Sequence, residues 1–115
     1  MEFEENRPIY LQISDSICDR ILRREFAAGG RIPSVREYAA SIGVNPNTVA
    51  RSYEKLTALG AIYQQRGIGY FVAADAKEII LSESRKRFFN EELPRLAQKA
   101  GLLGISSEEI ISALK

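Results

Sequence analysis

Six residues in the first two-thirds of this sequence have types and spacing suited to molecular recognition: Arg36, Asn47, Thr48, Arg51, Arg66 and Gly67. Asn47 and Thr48 carry short side chains that donate or accept hydrogen bonds. Arg51 follows Asn47 by four residues, one helical turn along the same face, and is long enough to reach a phosphate or a guanine edge. Arg36 sits in the first turn of a predicted helix, where backbone N–H groups also favour phosphate. Arg66 and Gly67 fall in a predicted turn. There a cation suits a minor groove or a phosphate backbone, and a glycine allows close approach. The same residues also have a plainer account. Arg36 fits a solvated position or a pair near Glu37, Arg51 and Lys55 fit an exposed charged stripe, and Gly67 and Gly69 fit a turn alone. The tyrosines, Tyr53 and Tyr70 included, suit packing better than base stacking. On composition and spacing alone, DNA recognition and an ordinary solvated face are equally supported.

Other chemistries are closed off more firmly. The chain has no histidine and a single cysteine, Cys18. A zinc or copper site therefore lacks its usual ligands, histidine acid–base catalysis is excluded, and no internal disulfide can form. No nucleophile–base pairing, phosphate loop or metal-ligand cluster appears, so no catalytic residue, metal or cofactor is expected. The 115 residues suit one compact domain plus an appendage, and 45% hydrophobic with 27% charged residues is ordinary globular composition. No apolar run approaches the roughly 20 residues that span a bilayer. The acidic opening MEFEENRPIY lacks the apolar core of a secretory signal, so a reducing cytoplasm is the expected compartment. The net charge of +1 says little, but residues 31–74 hold Arg31, Arg36, Arg51, Lys55 and Arg66 against Glu37 and Glu54, a local surplus of +3.

Elements must hold these side chains in place. Pro8 opens a first helix with Tyr10, Ile13, Ile17 and Ile21 at helical spacing, running to near Phe26 before Ala28-Gly29-Gly30. Ser34 and Glu37 form a capping box at the start of a short second helix with Val35, Tyr38, Ala39 and Ile42 apolar, ended by Gly43. Asn45 as N-cap and Pro46 as first residue begin a third helix, with Val49, Tyr53 and Leu56 as its buried stripe and Gly60 at its close. On another face lie Asn47, Arg51 and Lys55, with Thr48 and Ser52 beside them. Two short helices joined around Gly43-Val44 read as a helix-turn-helix. Residues 61–65 and 70–72 are β-prone runs around Arg66-Gly67-Ile68-Gly69, the hairpin of a wing. A helix then starts at Asp75 with Glu78 and continues to about Gly101, broken or kinked near Pro94. Ser106 with Glu109 caps a last helix to Lys115. The expected fold is mostly α with a small β-hairpin: a winged helix-turn-helix over residues 1–74 and a short C-terminal helical dimerisation tail over 75–115.

The run Gly30-Arg31-Ile32-Pro33-Ser34-Val35-Arg36-Glu37 resembles the signature that enters the second helix in the GntR family of bacterial regulators. Residues Asn45 to Leu56 resemble that family's recognition helix, and Gly60-Ala61-Ile62 with Arg66 to Val72 resembles its wing. The likeness covers about residues 8–73 in order and spacing. The Asn-Pro-Asn-Thr-Val form with so short a tail is most similar to the YtrA-like subgroup. Many members carry an arginine where this chain has Pro46 and a basic residue at Ala50, so base readout here leans on Asn47, Thr48 and Arg51. The resemblance implies a homodimeric repressor on a palindromic operator, often near a transporter operon. It also implies that Arg36, Asn47, Thr48, Arg51, Arg66 and Gly67 match DNA-contacting positions.

The tail is too short to enclose a pocket of about 300 Å³ within one chain. Its residues Phe88, Phe89, Leu93, Leu96, Leu102, Leu103, Ile110, Ile111 and Leu114 are more apolar surface than two short helices bury on themselves, which implies a homodimer through the C-terminal helices. The contrasting reading folds the tail back on its own domain. A small effector at the dimer interface stays open, with Arg85-Lys86-Arg87 either attracting an anion or forming a solvated face. The competing function is a winged helix that binds protein rather than specific DNA.

Overall fold

The computed structural model describes residues 1–4 and 6–115. They form two compact units, Met1–Ile80 and Leu81–Lys115. The first contains α1 (Ile9–Leu22), β1 (Arg31–Ile32), α2 (Val35–Ile42), α3 (Pro46–Leu59), β2 (Ile62–Gln65) and β3 (Gly69–Val72). It also takes the opening turns of α4 (Ala76–Arg87), whose Ala76 and Ile80 are buried in its core. Around them pack Ile13, Ile17 and Ile21 of α1, Tyr38 and Ala39 of α2, and Val49, Tyr53 and Leu56 of α3. Each set recurs at three- or four-residue spacing or sits side by side on one helical face, which is how an amphipathic helix presents a stripe to a core.

The sheet is antiparallel in the order β1-β3-β2, with Ile62 opposite Val72, Gln65 opposite Gly69 and Ile32 opposite Tyr70. The expected hairpin is present, and it gains a third strand. Ile32, Ile62 and Val72 turn inward and are buried, so the sheet closes one side of the core. A chain of aromatic rings runs through that core from Phe26 to Tyr38, Tyr53 and Tyr70, with centroid separations of 6.5, 6.4 and 4.9 Å. The Tyr53 hydroxyl donates to the Pro33 carbonyl at 2.7 Å, tying α3 to the segment that enters α2. Burial, then the neighbouring Tyr38 and Tyr70, push the Tyr53 phenol upward, so it stays a hydrogen-bond donor. Tyr53→Phe keeps the packing and leaves that carbonyl without its partner. It is expected to cost about 1 kcal/mol in a urea titration with an unchanged slope.

The first helix stops at Leu22, four residues before the expected end, and Pro8 is its N-cap rather than its first residue. Arg24 adopts φ +65°, and the N–H groups of Glu25 and Phe26 both turn back to the Arg20 carbonyl. The early stop has a packing reason: Phe26 meets Tyr38 edge-on, and the Arg20 guanidinium lies 4.1 Å from the Phe26 ring centroid. Cys18, also on α1, is half-buried. Burial, with Asp15 and Asp19 adding to it, pushes its thiol from 9.0 up to about 12, so it offers no thiolate at neutral pH.

In the second unit the rest of α4 leads into a π-helical segment, Phe88–Glu92, then α5 (Leu93–Leu102) and α6 (Ser107–Leu114). The expected irregularity near Pro94 takes this wide-turn form. The Leu93 N–H reaches the Phe88 carbonyl, five residues back, just before the proline whose ring crowds the preceding turn. Ser106 and Glu109 form the expected capping box on α6.

Candidate nucleic-acid interface

The site begins with two helix starts. Ser34 Oγ accepts from the Glu37 N–H at 3.1 Å, and Glu37 Oε1 accepts from the Ser34 N–H at 3.0 Å. The backbone donor of Ser34 and then its hydroxyl hold the Glu37 carboxyl below its ordinary range. Glu37 is thereby committed to the cap. Arg36 beside it is exposed, and no ion pair forms between Arg36 and an acid among the described residues. α2 ends at Gly43, which turns the chain at φ +70°, a left-handed conformation that glycine adopts without a Cβ penalty.

Two residues later Asn45 caps α3, its Oδ1 accepting from the Asn47 N–H at 2.8 Å, with Pro46 next in line. The Thr48 and Val49 N–H groups return to the Asn45 carbonyl. The first-turn amides are thus satisfied within the chain, which leaves side chains as the open hydrogen-bonding groups at this end of α3. Asn47 and Arg51 are exposed, and Thr48 is half-buried. Ser52, expected beside them on the open face, is instead fully buried. Its hydroxyl donates to the Tyr10 carbonyl at 2.7 Å, docking α3 on α1. The Arg51 guanidinium carbon lies 4.1 Å from the centroid of the Tyr10 ring.

The wing adds a third approach. Arg66, Gly67 and Ile68 form its turn, all exposed, with the Ile68 N–H bonded to the Gln65 carbonyl at 3.0 Å. Gly67 has φ +77° and open space where a Cβ would stand, so backbone conformation rather than crowding calls for glycine there. Arg31 of β1 is a cation that motif reasoning did not single out. Its side chain crosses Gly69 so closely that a Cβ there would lie 2.9 Å from Arg31 Nε. Arg36 on α2, the Asn47–Thr48–Arg51 group on α3 and Arg66-Gly67 on the wing come from three separate elements. Among the described residues, no hydrogen bond or ion pair links these three groups. Tyr10 was legible only as an apolar-face residue of the first helix, because nothing local announces a partner 41 positions away. Among the described residues no cluster of His, Cys, Asp and Glu could hold a metal ion, and no helix is long and apolar enough to cross a membrane.

A helix-turn-helix whose second helix opens with an exposed polar face, followed directly by a hairpin with a cationic tip, defines a DNA-binding winged-helix domain. The family model of bacterial regulatory proteins, gntR family, matches residues 9–72, which is α1 through β3. Among proteins of known sequence, the HTH-type transcriptional regulator YhcF of Bacillus subtilis, itself uncharacterised, is 38% identical over 99% of this chain and 93% of its own length. The HTH-type transcriptional repressor YtrA of the same organism is 33% identical over 94% of this chain and 82% of its own. Among solved structures, a GntR-family regulator from Listeria monocytogenes superposes with a TM-score of 0.79 at 32% identity, covering 97% of this chain and 96% of its own. Another, from Bacteroides thetaiotaomicron, reaches 0.71 at 50% identity over 90% of each chain. The chain belongs to the GntR family of transcription regulators, as its helix-turn-helix motifs implied, and its relatives include the YtrA type.

Proposed function

We propose that this chain is a repressor that binds a palindromic operator as a homodimer, acting by occupancy rather than by catalysis, in the bacterial cytoplasm and near a transporter operon. The observation that carries the reading is the N-terminal end of α3, with Asn47 and Arg51 exposed and Thr48 half-buried, whose backbone amides are already capped and whose side chains are left to read bases. Arg36, Arg66 and Gly67 serve as contacts to the DNA backbone and minor groove on either side.

The tail of residues 75–115 provides the dimer contact in this reading. Support comes from the apolar side chains that one chain leaves open: Leu96, Leu102 and Leu114 are 48%, 84% and 82% exposed. The run Arg85-Lys86-Arg87 is engaged within its own chain. Lys86 pairs with Glu83 at 3.8 Å, Arg87 with Glu91 and Glu92 at 3.8 and 3.5 Å, and Arg85 lies over the Phe89 ring.

Salt dependence on a duplex of arbitrary sequence separates this function from a protein-binding winged helix. If about six phosphates are neutralised per dimer, affinity is expected to fall roughly a thousandfold between about 50 and 200 mM salt. A shallow slope with weak binding throughout would favour the protein-interaction role.

A further inference from the structure

We propose that Tyr10 is a positioning residue for sequence readout, its ring holding the Arg51 guanidinium in place before DNA arrives. The inference rests on the reading of Arg51 as a base contact. Arg51 is exposed, and an exposed arginine on a flexible stem samples many rotamers, all but one of which must be given up when it meets a base edge. Here the cation sits 4.1 Å from the Tyr10 centroid, well inside the roughly 6 Å over which an aromatic face attracts a cation.

The backbone that carries the ring is itself anchored. The Tyr10 carbonyl accepts two hydroxyls, Ser14 at 2.9 Å and the buried Ser52 at 2.7 Å. Consecutive residues of α3 therefore engage one residue of α1: Ser52 holds its backbone, and Arg51 lies over its ring. Among the described residues no carboxylate pairs with Arg51. A carboxylate partner would occupy the guanidinium donors and have to be released on binding. The tyrosine face uses the charge and leaves the N–H donors for a guanine edge. A phosphate contact tolerates a mobile arginine, whereas a bidentate base contact does not, so the benefit falls on specific binding.

The test compares a duplex recovered by selection from genomic DNA with a scrambled duplex of equal length. Tyr10→Leu is expected to weaken binding to the selected duplex by about two- to fivefold and to leave the scrambled one unchanged. Tyr10→Phe, which keeps the ring, is expected to bind like the parent chain, and Tyr10→Leu is expected to add nothing to Arg51→Ala. Equal weakening on both duplexes, or the same loss when Arg51 is already alanine, would overturn the inference. If Arg51→Ala weakens selected binding and Tyr10→Leu does not, this inference alone fails. If Arg51→Ala is silent, the base-reading role of Arg51 fails and takes this inference with it. Should Tyr10→Leu not fold, the parent chain still decides: ring current should move the Arg51 side-chain proton resonances upfield, and random-coil positions would contradict the stacking.

Discussion

Arg51→Ala is expected to weaken binding to the operator by roughly 1–3 kcal/mol, about five- to 150-fold in affinity, while binding to unrelated duplex falls far less. The reason lies in how the N-terminal end of α3 is built. Asn45 and its carbonyl take up the amides of Asn47, Thr48 and Val49, so this helix start has few free backbone donors for phosphate. In the proposed reading, sequence information comes from Asn47, Thr48 and Arg51, and of these only Arg51 offers a planar fork that matches two acceptors on one base. Arg51 lies on the exposed surface, so the substitution leaves no cavity, and the thermal midpoint should barely move. Titrations on operator and scrambled duplexes at one fixed salt concentration check the result. Equal losses on both would reduce Arg51 to a phosphate contact.

Leu96→Asp is expected to convert the proposed dimer to monomer. Leu96 lies in α5, 48% exposed within one chain, so a single chain accommodates the aspartate at little cost. In a two-fold interface every residue occurs twice, and each copy would bury a carboxylate with no partner. At about 2–3 kcal/mol or more for each buried charge, dimer dissociation strengthens by more than about a thousandfold. Sedimentation at micromolar concentration reads this directly. Affinity for a two-half-site operator should fall with it, because each monomer then binds one half-site alone. A dimer that survives the substitution would place the interface elsewhere on the chain.

Local signals carried much of the fold. Ser34 with Glu37, Asn45 with Pro46, and Ser106 with Glu109 each announce a helix start through hydrogen bonds that span three residues or fewer, and each cap forms as its residues imply. The 3.6-residue stripes of α1 and α3 set the core for the same reason. What escaped the sequence depends on distant partners. β1 is two residues long, too short to show any period, and exists because it pairs with β3 about 40 positions later. Helical spacing put Ser52 beside Arg51, but whether it faced water or core was settled by the Tyr10 carbonyl on another helix. The end of α1 was misjudged because no glycine or proline marks it, and the stop is imposed by Phe26 turning in to meet Tyr38. For the site, the motif residues were legible one by one, whereas Tyr10 beneath Arg51 and Arg31 across Gly69 were not.

The central claim, a dimeric regulator reading specific DNA, is tested most directly by letting the purified protein select from sheared genomic fragments at about 0.15 M salt and sequencing what it retains. The account predicts enrichment of a few upstream fragments that share an inverted repeat, with the repeat lost from the fragments retained by Leu96→Asp. Folded protein that enriches no fragment above the input would contradict it.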